Sequence, residues 1–371
     1  MRKIIALLIS LSPAGSLCGQ SGGAGVTYSV DLRLELLSIV SRLAGYEEYS
    51  NDTNKSYVEA IHRHFDPYRD HPMIRYAREI KKSNGIGYDA IAILAVSIGQ
   101  PPALKPIVPF AVQPLADSRW NEERAEKYVR LLQDFYRDAR CAEFFAGQRG
   151  RYEFSVRELS KVWNGFHPEW FAGYFGHAPA GPFHVVYGLA NGSHCYGPKF
   201  GQPGEGTDYY AIMCLWTDKT LDSLKYGIDT PFLTPILVHE FCHSFANPLV
   251  DAHARELEKP GRRILAATGE TPAYMNWKTA MYESLVRASV YRYLKAYGAD
   301  SATFERHRQM DSAQGFPWIT ELAAFLDEYE RDRRRYLTLD SFMPRLVRFY
   351  DKLSRDLIRK KKRAASGADR S

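Results

Sequence analysis

The stretch "TPILVHEFCHSF", residues 234–245, carries two histidines four positions apart, with a glutamate directly after the first. On an α-helix, positions i and i+4 lie one above the other, so His239 and His243 can bring their Nε2 atoms to one point. Leu237, Phe241 and Phe245 then face the opposite side, where they can be buried. Thr234-Pro235 predicts the helix start, because Thr can cap a free N–H and Pro at the first position loses no needed donor. Leu233 and Val238 are spaced for a hydrophobic staple across that cap. Asn247-Pro248 predicts the stop after three turns, since proline pushes the residue before it out of helical geometry. Burying two imidazoles and a carboxylate without an ion or a partner is costly, so the pattern points to a bound metal.

Two neutral imidazoles at this spacing can bind Zn²⁺, and Glu240 is placed to take a proton from a water acidified by the ion and pass it to a leaving amine. A catalytic zinc needs a third protein ligand. The longer pattern HExxHxxGxxH fails here, because Ala246 and Leu249 stand where its glycine and third histidine would be. Asp251 and His253 are near in sequence but follow the expected helix stop. Glu283, forty positions beyond His243, is the better candidate: it sits among apolar neighbours in "AMYESLVRA". The surrounding "NWKTAMYESLVRASVYRYLKAYG" reads as a strong amphipathic helix able to pack beneath the first. Arg287, one turn on, can hold the Glu283 carboxylate or face substrate. Tyr291, Tyr274, Tyr282 and Arg287 are candidate donors to a developing oxyanion. His184 and His194 read as strand and loop residues, of interest as ligands only if Glu283 fails.

Outward from this centre the chain changes character near residue 180. Before it, "VDLRLELLSIVSRLAGY", "YVEAIHRHFDPY" and "PMIRYAREIKKS" have apolar residues at helical spacing. A long helix is expected over Asn121–Phe145, capped by Asp117 or Ser118. "GPFHVVYGLA" and "TDYYAIMCLW" read as strands, joined by a glycine-rich loop that opens with Asn191-Gly192. Either the segment ending in "YGLANGSHCYG" or the second strand would offer an edge for an extended peptide. Helices return after Pro231, with later ones over about 318–331 and 339–362. The expected fold is α+β: a small sheet over the motif helix in a catalytic domain at 151–365, preceded by a mostly helical region at 20–150.

The N-terminal "MRKIIALLISLSPAGSLCGQ" joins a basic start to an apolar run, Ile4–Leu11, and then small residues, which is the pattern of a signal peptide over 1–19. Cys18 could carry a lipid, but Gly15-Ser16-Leu17 is not the usual sequence before such a cysteine. Export implies a secreted or periplasmic protein in an oxidising compartment. The remaining Cys141, Cys195, Cys214 and Cys242 allow three full pairings. Cys195 and Cys214 lie on neighbouring segments that a bridge could join, and Cys242 points away from the histidine face. Removal of Arg2 and Lys3 lowers the formal charge from +6 to +4, a weak excess concentrated in "RKKKR" at 359–363. With no basic stripe interleaved with aromatics, nucleic acid is excluded as a partner, and no other segment is long and apolar enough to span a membrane.

The HExxH motif is shared with the gluzincin zinc metallopeptidases. "HEFCHSFANP" followed by "MYESLVRA", with "NGSHCYGPK" upstream, also resembles a family of exported bacterial HExxH proteins known as a domain of unknown function, over roughly residues 150–350. The resemblance implies a zincin-like domain with His239, His243 and Glu283 as zinc ligands and Glu240 as base. The expected protein is thus a secreted, monomeric zinc peptidase acting on peptide or protein. Another zinc amide hydrolase, acting on cell-wall peptide or a small amide, and an inactive peptidase-like binding module are the alternatives.

Overall fold

The computed structural model describes residues 20–21, 25–50, 54–163, 165–214, 230–268 and 276–368. The expected signal peptide and Tyr274 lie outside the described residues. The fold is α+β, as expected. Two short strands, β1 (Gln20–Ser21) and β2 (Val26–Ser29), open the chain. Seven helices follow: α1 (Leu32–Leu43), α2 (Lys55–Phe65), α3 (Pro72–Asn84), α4 (Asp89–Val96), α5 (Glu122–Asp138), α6 (Cys141–Leu159) and α7 (Glu169–Phe175). Then come β3 (Phe183–Gly188), β4 (Lys199–Gly201) and β5 (Thr207–Cys214). The described residues from 230 on are mostly helical: α8 (Thr230–Ala252), α9 (Ala254–Thr268), α10 (Trp277–Ala296), α11 (Ser301–Ala313), α12 (Ile319–Arg331) and α13 (Leu339–Ala368).

The sheet order is β1-β2-β3-β5-β4. β2 runs parallel to β3 in the register Val26↔Phe183, and β3 parallel to β5 in the register Phe183↔Tyr209. The helical region from α1 to α7 is therefore the crossover between two neighbouring parallel strands. Parallel strands cannot be joined by a tight turn, so a long connection is required. β5 does not offer the edge expected of it. β3 covers one side, and the other carries β4 and the bridge Tyr196↔Ile212.

The core face of the motif helix docks on this sheet. Phe241 and Phe245 are buried, and Phe241 meets Phe183 edge-on with centroids 4.8 Å apart. Phe245 stacks on Tyr209 at 4.9 Å and on Phe175 at 5.0 Å. Burying each such ring contributes roughly 1.5–3 kcal/mol. Gly197 brings its backbone so close to α8 that a Cβ there would lie 1.9 Å from the Glu240 carbonyl oxygen. Only glycine fits such an approach.

Several sequence expectations are corrected. α8 starts at Thr230 and runs through Pro248 to Ala252, so Asn247-Pro248 is not its end. Proline in a helix interior leaves the carbonyl four residues earlier without its amide donor. Here Lys199 Nζ donates to that carbonyl, Ser244 O, at 3.1 Å, which offsets the lost bond. The long helix expected at 121–145 is two helices, because Arg140 adopts a left-handed conformation (φ 52°) that turns the chain. Its cap is Asn121, which accepts from Arg124 N at 2.9 Å, whereas Asp117 caps Arg119 N instead. β1, β2, β4, α7, α9 and α11 were not expected.

Candidate metal centre

The two histidines of α8 and Glu283 of α10 meet across the tightly packed pair of helices. His239 Nε2 lies 3.1 Å from His243 Nε2. Glu283 Oε2 is 3.5 Å from His239 Nε2, and its Oε1 is 3.5 Å from His243 Nε2. Donor atoms about 2.0–2.2 Å from a shared tetrahedral ion are roughly 3.3–3.6 Å apart. The triad has that spacing within a few tenths of an ångström, and it could hold a metal ion. All three side chains are largely buried, at 12–20% exposure, so the charge of an ion would be weakly screened.

The electrostatics favour the ligand forms. Burial pushes the His239 pKa down to about 3, against the pull of Glu283, and keeps the imidazole neutral. Burial alone would raise Glu283, but His239, Arg287 and His243 outweigh it and hold the carboxyl at about 2. His243 Nδ1 is 3.2 Å from Asn247 Oδ1, a partner for an Nδ1–H that leaves the Nε2 lone pair directed at the centre. Asn247, expected only to end the helix, thus orients a ligand. Arg287 Nε donates to Glu283 Oε2 at 3.1 Å, and its Nη1 to Asp311 Oδ1 at 2.7 Å. The guanidinium fixes the carboxylate, as one of the two sequence expectations had it.

Around the triad is a cavity of about 290 Å³. Glu240 lines it and is itself buried, and burial, with the Cys195 sulfur and the Glu283 carboxylate nearby, pushes its pKa well up. One wall comes from Ser193, His194 and Cys195, near the start of the glycine-rich loop that opens with Asn191-Gly192. The opposite wall comes from Tyr291 on α10, from His307, Met310 and Asp311 on α11, and from Gln314 just after it. Nε2 of His307 is buried without a hydrogen-bond partner, and the hydroxyl of Tyr291 is buried beside the Asp311 carboxylate. Their rings approach at 6.5 Å and 74°. Burial, with Arg306 and Arg287 nearby, lowers the His307 pKa to about 4, so this imidazole is neutral near pH 7.

His307 was not identified from the sequence. α11 buries only His307 and Asp311 among its thirteen residues, so it lacks an apolar stripe. The available signal was the Asp300 cap, which accepts from Thr303 N at 2.8 Å, with His307 and Asp311 four apart behind it. The other candidates lie elsewhere. Asp251 pairs with Lys278 and accepts from Tyr282 OH, both at 2.5 Å. His253 faces Asp340 at 3.5 Å. His184 bonds Thr27 Oγ1 at 2.7 Å within the sheet. None of these four joins the triad among the described residues. No helix among the described residues is long and apolar enough to cross a membrane.

Residues 26–349 match the model of a family described as "Domain of unknown function (DUF4932)", and the chain belongs to that family. No curated protein and no solved structure matches it.

Proposed function

We propose that this member of DUF4932 is a secreted zinc-dependent peptidase. The observation that supports this most is one pocket holding His239, His243 and Glu283 at ligand spacing, with Glu240 beside them on the same helix. Two imidazoles and one carboxylate, leaving a position open, form a donor set typical of hydrolytic zinc. Zinc, when bound, supplies a Lewis acid that acidifies water and polarises a carbonyl. Glu240 takes a proton from the attacking water and returns it to the leaving amine. The dry surroundings of Glu240 favour its uncharged form, so positive charge held next to it is what makes it a base. In this reading Tyr291 and His307, which line the same cavity, donate to the oxyanion of the tetrahedral intermediate. Arg287 keeps Glu283 charged and oriented. A cavity of about 290 Å³ is at the small end of ligand pockets, so a longer peptide runs past it over the surface.

Metal analysis of the purified protein and its Glu240→Gln variant, with a peptide library as substrate, tests this. One zinc per chain in both, with cleavage only by the wild type, is the expected result. Zinc without peptide cleavage turns the reading toward another amide hydrolase. Absence of zinc from both sinks it.

A further inference from the structure

The wall segment Asn191–Gly197 is fastened at nearly every residue. Asn191 is fully buried and its Nδ2 donates to His194 O at 2.7 Å. Gly192 (φ 72°) lies so close to the Glu48 carbonyl that a Cβ would come within 1.9 Å of its oxygen. Tyr196 exchanges both backbone hydrogen bonds with Ile212, at 2.8 and 3.0 Å. Gly197 is pressed against Glu240. Between these fixed points stands Cys195, in the cavity lining, with its sulfur 3.5 Å from Cys214 Sγ at the end of β5. The Cys214 amide also donates to the Cys195 sulfur at 3.4 Å.

We infer that Cys195 and Cys214 are a disulfide-forming pair whose bridge clamps the wall of the metal pocket to the end of β5. This is a single bridge, and none of the three full pairings of the four cysteines is formed, because Cys141 and Cys242 stay apart from it. The Cys141 thiol donates to the Phe135 carbonyl at 3.7 Å, and Cys242 is buried on α8. All four cysteines are thiols here, and Cys195 and Cys214 are the two whose sulfurs meet. Bonding the sulfurs requires them to close to about 2.05 Å, a movement of roughly 1.5 Å.

The chemistry is thiol–disulfide exchange with an external disulfide. Cys195, partly accessible, attacks as a thiolate and expels one thiolate of the external disulfide, giving a mixed disulfide. Cys214, losing its proton, then attacks Cys195 Sγ and expels the second. The two protein thiols are oxidised, the external disulfide is reduced, and the two released protons end on its two thiols. Hydrogen bonding from Cys214 holds the Cys195 pKa below its ordinary value against burial, which suits it to the first attack.

The test is independent of hydrolytic activity. Full-length protein is equilibrated with excess oxidised glutathione, unfolded, alkylated and digested with trypsin, whose cut after Lys199 separates the two cysteines. The expected product is a 195–214 cross-linked peptide that falls apart on reduction, with Cys141 and Cys242 alkylated. Cys214→Ser should instead trap a glutathione adduct on Cys195. The bridged protein should also melt roughly 5 °C above the reduced one, a difference absent from Cys214→Ser. Alkylation of Cys195 and Cys214 in the oxidised sample, or a cross-link to Cys141 or Cys242, overturns the inference. So does an unchanged melting temperature in a bridged sample, because the bridge would then clamp nothing.

Discussion

The floor and the walls of the pocket are built by different means. The floor is local: His239 and His243 share one helix face, and Glu283 with Arg287 repeats the same four-residue spacing on α10. Its geometry follows once two helices pack. The walls are assembled from afar. The Ser193–Cys195 rim is held through the Leu189 amide, which donates at 2.7 Å to Glu35, a residue 154 positions earlier on α1. The facing wall comes from α11, a helix with scarcely any apolar face. Chemistry that needs fixed ligands is thus written at short range, whereas the shape around it depends on the whole fold.

Breaking the floor should have the largest effect. Glu283→Ala removes the carboxylate proposed as the third ligand, which Arg287 Nε holds. Loss of an outer partner costs roughly 10–100-fold in metal affinity, so loss of the ligand itself should exceed about 100-fold. Competition with a metal chelator measures this. An affinity within tenfold of wild type would mean that Glu283 is not a ligand.

The same contrast explains what the sequence disclosed. Helical spacing marked α8 and α10, and β-branched and aromatic runs marked β3 and β5, because each of these signals lies within one element. The path of α8 through Pro248 could not be read locally, since Lys199 supplies the missing donor from β4. Nor could the course of the sheet, because β2 finds its partner β3 only after the entire helical crossover. His307 stayed hidden for a related reason: its burial depends on Tyr291 and on the folding-over of α11, and nothing in "SATFERHRQMDSA" shows that.

A wall substitution should affect catalysis without touching the metal. His307→Gln is expected to lower kcat by roughly 10²–10³-fold, the usual cost of losing one oxyanion donor, with KM within a few-fold and zinc content unchanged. Tyr291→Phe should act in the same direction. If KM rises and kcat holds, the two groups bind substrate rather than its transition state. If zinc is lost, floor and wall are not separable.

The most distant support of the rim gives the smallest effect and the one tied to pH. Glu35 is fully buried, and burial raises its pKa to about 7 despite hydrogen bonds from Tyr57 and from the Leu189 and Ala190 amides. In the unfolded chain the same carboxyl titrates near 4.5. Between these values the folded protein binds a proton that the unfolded chain has lost. The contribution of Glu35 is therefore fully present below about pH 4.5 and fades as pH rises through 7. Glu35→Gln keeps an acceptor for the Leu189 amide but cannot titrate. Urea unfolding at pH 5 and pH 8 should show the wild type losing roughly 2–3 kcal/mol more than the variant across that interval. Equal losses would show that the carboxyl is held ionised throughout. The rim would then be anchored by a permanent buried charge, as firmly as the floor is by Arg287.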